Sequence, residues 1–181
     1  MKKNLRAIII VVICAALCIG YYYYLSNRDT GKEESLTEVE QVITKDLDKS
    51  YPKTAREVVR FYNRILKCYY NEEHTDKQLE QLTEQARALM DQELQEKNKE
   101  KEYLDAVKAD IKDYEEKEKV ITSFIMDTSN EIDYKKVNGD ECAYVDVSYF
   151  ITEKDGSSRA AQTYILRKDK DGKWKILGFY Q

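Results

Sequence analysis

ECAYVDVSYFIT, residues 141–152, is the stretch whose reading decides the fold. Apolar and polar residues alternate along it, so an extended chain puts Ala143, Val145, Val147, Tyr149 and Ile151 on one face. Tyr144, Asp146 and Ser148 share the other face with Cys142 and Phe150. Residues 160–168 and 173–180 alternate in the same way, and VITSFIM (120–126) is rich in β-formers. Between these runs lie Asn138-Gly139, Asp155-Gly156 and Asp171-Gly172, dipeptides that suit tight hairpins. The last third of the chain therefore reads as an antiparallel meander of about four to five strands.

Working back from the strands, the period changes to that of helices. Thr54 with Glu57 forms a capping box ahead of Val58, Phe61/Tyr62, Ile65 and Tyr69. Thr75 with Gln78 opens a second stripe of Leu79, Leu82, Ala86 and Leu89/Met90. A third runs from about Lys99 to Tyr114 through Tyr103/Leu104, Val107 and Ile111. Ser35 with Glu38 predicts a short helix before the only proline, Pro52. Each stripe needs a surface to cover, so the fold class is α+β, about three helices packed on one face of a curved sheet. Trp174 is expected to pack among Phe61, Ile65 and Leu82, on a strand face it shares with Ile176 and Gly178.

At the other end, AIIIVVICAALCIGYYYYL (residues 7–25) carries no charge. As a helix it would extend roughly 28 Å, close to the hydrocarbon thickness of a bilayer. Lys2, Lys3 and Arg6 precede it and four tyrosines close it, a pattern that keeps the N-terminus in the cytoplasm. A cleaved signal would want small residues at its end, and a lipoprotein signal would want one before Cys14 or Cys18, where Ile13 and Leu17 stand. The expected organisation is a transmembrane anchor over 1–25, a tether and short helix over 26–50, and one domain over 51–181.

Thirty basic and 34 acidic residues give a net charge of −4. Setting aside Lys2, Lys3 and Arg6 makes the remainder more negative, which argues against nucleic acid as a partner. Cys68 and Cys142 are the two cysteines beyond the apolar run; they could bridge in an oxidising compartment or lie buried as thiols, and their strand and stripe positions predict no bond. No Cys/His cluster suggests zinc, and no cofactor motif occurs. Asp169-Lys-Asp-Gly172 echoes a calcium loop, but its glycine comes too early and Tyr180 holds the twelfth position, so it reads as a hairpin turn.

YYYYLSN (21–27), YPKTAREVVRFYNRILKCYY (51–70) and LRKDKDGKWKILGFYQ (166–181) resemble an uncharacterised family of single-pass membrane-anchored bacterial proteins. The order of elements, ending on DGKWKILGFY (171–180), resembles the nuclear-transport-factor-two-like superfamily, the cystatin-like cone that includes SnoaL-like enzymes. That resemblance implies a cone-like sheet with a pocket beneath the helices, on a domain outside the bacterial cytoplasmic membrane. No catalytic residue carries over from it.

His74, the sole histidine, sits in a loop without an evident partner. Tyr144, Asp146 and Ser148 are the candidate binding residues, because a carboxylate beside a phenol on a strand can bind or move protons; with the opposite face more apolar, they point to solvent or a partner. The function expected from these readings is a membrane-anchored, extracytoplasmic, non-catalytic binding or accessory module. Its partners would be the bilayer through residues 7–25 and an envelope protein, a peptide or a small apolar ligand. The alternative is a small SnoaL-like enzyme acting on a hydrophobic substrate by proton transfer. A pocket holding a desolvated carboxylate within hydrogen-bond reach of a tyrosine or histidine would favour the enzyme; a pocket plugged by the protein's own side chains would favour the module.

Overall fold

The computed structural model describes residues 36–181, together with residues 19, 21 and 22. The chain divides into units of residues 1–36 and 37–181, and the second is the domain considered below.

Five helices precede the sheet: α1 (Glu38–Ile43), α2 (Ala55–Asn71), α3 (Asp76–Ala88), α4 (Gln92–Lys97) and α5 (Glu100–Glu116). Three begin with reciprocal capping boxes, Thr37/Glu40, Thr54/Glu57 and Thr75/Gln78, each satisfying backbone donors that a helix start leaves orphaned. The first box lies two residues beyond the one predicted at Ser35. Helix α1 buries Val39 and Val42, and Gln85 of α3 clasps its exit by donating to the Ile43 and Lys45 carbonyls at 3.2 and 2.9 Å. The charged run after Met90 holds α4, capped by Asp91, where sequence patterning shows only a solvated face. Its six residues bury none of their own side chains, which is why no apolar period marks it.

The strands are β1 (Val120–Met126), β2 (Asp133–Val137), β3 (Asp140–Glu153), β4 (Gly156–Lys168) and β5 (Trp174–Tyr180). All pairs are antiparallel, in the order β1-β3-β4-β5, and β2 shares with β1 the same flank of the long β3. The β2–β3 turn is Asn138-Gly139 with φ of 53° and 97°, the doubly left-handed geometry of a two-residue hairpin. The inward face of β3 (Ala143, Val145, Val147, Tyr149) is buried against the helices with Tyr164 and Leu166 of β4.

The cone-like sheet read from the sequence is not formed: the sheet is open, neither closed nor curled. Both of its outer edges already have partners. The free edge of β5 pairs with the α3–α4 link, Ile176 donating to Leu89 O at 2.8 Å and accepting from Asp91 N at 2.7 Å. The edge of β1 is met by the Asn71 side chain, which accepts from Ile121 N at 3.0 Å and donates to Ile121 O at 2.8 Å. Each of these outer strands is thus met at one residue, Ile176 on β5 and Ile121 on β1, by a distant part of the chain.

Strict alternation also fails on β5. Register runs Leu166↔Ile176 and then Ile165↔Gly178, so Leu177 is an extra residue and the inward series is Trp174, Ile176, Phe179. A matching shift on β1 between Ile121 and Ser123 turns Phe124 and Met126 inward, opposite Tyr149 and Val147. Trp174 is buried, but its ring partner is Tyr134 of β2 at 5.6 Å, with Lys168 Nζ 5.0 Å from the indole. Cys68 and Cys142 are both buried and free; burial pushes the Cys68 thiol up to about 12.

The membrane readings need correction. Among the described residues no helix is long and apolar enough to cross a membrane; the 17-residue helices α2 and α5 both carry charged faces. The anchor expected over 7–25 lies outside the described residues except for Ile19, Tyr21 and Tyr22. The single-pass topology, the bilayer as partner and the extracytoplasmic placement accordingly have no structural support.

Candidate functional site

Between the helices and the inward face of the sheet lies a cavity of about 450 Å³, within the size range of small-molecule sites. Tyrosines dominate its wall. Tyr62, Tyr69 and Tyr70 come from α2, Tyr103 and Tyr114 from α5, Tyr149 from β3 and Tyr164 from β4. Helical spacing puts the α2 residues on one stripe, and the period of two along β3 and β4 turns the strand residues toward them. The bulge on β5 adds Phe179 beside Tyr164, ring centroids 5.9 Å apart.

Two ring pairs brace the wall: Tyr70 stacks on Tyr114 at 4.0 Å, and Tyr62 meets Tyr164 edge-on at 5.7 Å. The hydroxyls are less evenly served. Tyr149 and Tyr164 share a hydrogen bond of 2.6 Å. The Tyr69 hydroxyl is buried and makes no hydrogen bond of full geometry, although the Tyr103 side chain interacts with it. Such an orphan costs roughly 1–3 kcal/mol of desolvation, and the oxygen belongs to a residue lining the cavity.

Burial raises the pKa values of these phenols, Tyr149 to about 12 and Tyr62, Tyr69, Tyr103 and Tyr164 well above the usual range. They remain protonated at neutral pH. Asp110 of α5 is the one charged side chain lining the cavity, exposed at its mouth. Partial desolvation, and then the charge of Asp113, raise its pKa above the ordinary carboxylate value. Its own charge reaches Tyr62, Tyr70 and Tyr114.

Sequence patterning did not single out this group. The available signal was composition, fifteen tyrosines against four phenylalanines: that many hydroxyls on apolar stripes mark a core that must accommodate polar atoms. The residues it did single out stand elsewhere. Tyr144, Asp146 and Ser148 lie on the outward face of β3, away from the cavity. Tyr144 carries Lys135 Nζ 4.9 Å from its ring, Asp146 accepts from Thr163 Oγ1, and Ser148 accepts from Arg159 Nη2 at 2.9 Å. His74 is half-buried, one ring nitrogen 3.3 Å from the Tyr69 carbonyl in the last turn of α2, the position of a helix-end cap. In the 169–173 turn, Asp169 Oδ1 accepts from the backbone of Asp171 and Lys173, both at 2.9 Å. Among the described residues no group of three or more His, Cys, Asp or Glu side chains is placed to hold a metal ion.

The reading as a membrane-anchored, non-catalytic accessory module is thus overturned: no helix among the described residues spans a membrane, and the pocket whose state was left open holds a cavity, the outcome that favours the alternative. Comparison with curated proteins finds no match. A family profile described as "Domain of unknown function (DUF6715)" matches residues 1–179. It replaces both the nuclear-transport-factor-two-like assignment and that of a membrane-anchored family. With nearly its whole length matched, the chain belongs to the DUF6715 family, here a small α+β domain.

Proposed function

We propose that the domain acts on a small, largely hydrophobic molecule taken up in the tyrosine-walled cavity, with Asp110 exchanging a proton with it. One observation carries this reading: a cavity of about 450 Å³ places a buried phenol without a full hydrogen bond and a partly desolvated aspartate around an aromatic wall. Apolar walls with a few convergent polar groups are what small-molecule sites are made of. The phenols, held protonated, hydrogen-bond and orient; Asp110 alone among the lining side chains changes its proton below neutral pH.

Filling the cavity tests the proposal. Ala160 lines it and is partly buried on β4, so Ala160→Trp directs an indole into the space. With 2-phenylethanol as the probe, calorimetric titration is expected to show binding to the wild type and its loss in Ala160→Trp, while circular dichroism shows the variant folded. Equal binding by both proteins would refute the site.

A further inference from the structure

We infer that the cavity selects a small organic ammonium ion, its nitrogen held at the mouth by Asp110 and its apolar body among the tyrosine rings. This rests on the reading of the cavity as a ligand site and adds the charge class of what enters it.

The chain has thirty lysines and arginines, yet none lines the cavity. The basic groups nearby are engaged elsewhere. Lys119, after α5, sits over the Tyr114 ring at 5.4 Å and pairs with Asp113 at 3.5 Å. Lys108 and Lys112, on α5 itself, pair with Asp76 of α3 and with Glu116, at 3.2 and 3.7 Å. Asp110 makes no ion pair among the described residues. The other titratable groups it meets are Asp113 and Tyr114 on its own helix and Tyr62 and Tyr70 on α2. An anion entering this mouth would add a like charge beside Asp110, since Asp113 is already balanced by Lys117 and Lys119; a neutral molecule would leave Asp110 to water alone.

A cation offsets that charge, while its apolar body packs among the aromatic side chains of the wall. Because the cation pairs only with ionised Asp110, its affinity falls as pH drops through the titration of that carboxyl, whose pKa desolvation raises.

Three near-isosteric probes separate the charge classes on the full-length protein: 2-phenylethylammonium, 2-phenylethanol and phenylacetate. Calorimetry at neutral pH is expected to rank the ammonium about tenfold or more above the alcohol, with phenylacetate weakest. Asp110→Asn should erase the ammonium's advantage over the alcohol. In the wild type, ammonium affinity should decline toward acid while alcohol affinity stays flat, a comparison that requires no variant to fold. Equal affinity for alcohol and ammonium, a preference for phenylacetate, or a flat pH profile for the ammonium overturns the inference while leaving the cavity as a ligand site. Failure of all three probes to bind overturns both.

Discussion

The two faces of β3 are built from the same alternating sequence, yet they treat polar atoms in opposite ways. On the outward face Tyr144, Asp146 and Ser148 find partners across the strands in Lys135, Thr163 and Arg159, all within reach of water. On the inward face Tyr149 and Tyr164 satisfy each other, while nearby Tyr69 is buried with its hydroxyl unserved. A surface group left alone is solvated at little cost; a buried one is not. The inward orphan is therefore the more informative of the two, and the function is sought on the side where burial leaves a polar atom wanting.

The largest effect that sharpens this contrast belongs to Trp174, buried on the inward side against Tyr134. Trp174→Ala leaves a cavity and should cost about 3–5 kcal/mol, read as a fall in the urea midpoint. An unchanged midpoint would mean the indole contributes nothing to the core.

Smaller and opposite in sign are two tyrosine truncations. Tyr149→Phe breaks the 2.6 Å bond to Tyr164 and should lose about 1 kcal/mol, whereas Tyr69→Phe removes an unpaired hydroxyl and should be neutral or stabilising by up to about 1 kcal/mol. If Tyr69→Phe destabilised as much as Tyr149→Phe, the orphaned hydroxyl would have a structural partner and the contrast between the two phenols would be lost.

The smallest effect is on the outward face. Asp146 is exposed and bonded only at the surface, so Asp146→Ala should stay within about 0.5 kcal/mol in the same denaturation assay. It should also leave 2-phenylethanol binding intact. A large loss of either would move the functional face to the other side of the sheet.

Much of the architecture is legible without coordinates because its causes are local. The boxes at Thr54/Glu57 and Thr75/Gln78, the alternation along β3 and the Asn138-Gly139 turn each depend on residues a few positions apart. The apolar run at 7–25 shows the limit of that approach: composition and length suggested a membrane, and no described helix supports one. Trp174, Ile176 and Gly178 show another, since one extra residue on β5 exchanges Gly178 for Phe179 on the inward face.

The sequence by itself determined the α+β class, the order of helices before strands and the inward face of β3, since capping chemistry and side-chain period act within single elements. Tertiary structure decided what met the outer strands, because Asn71 and the 89–91 segment reach Ile121 and Ile176 from distant parts of the chain. It also decided the site. Tyrosines from α2, α5, β3 and β4, up to about a hundred positions apart, surround one cavity only after the layers pack. Asp110 departs from an ordinary surface carboxylate through the burial and neighbouring charge that packing imposes.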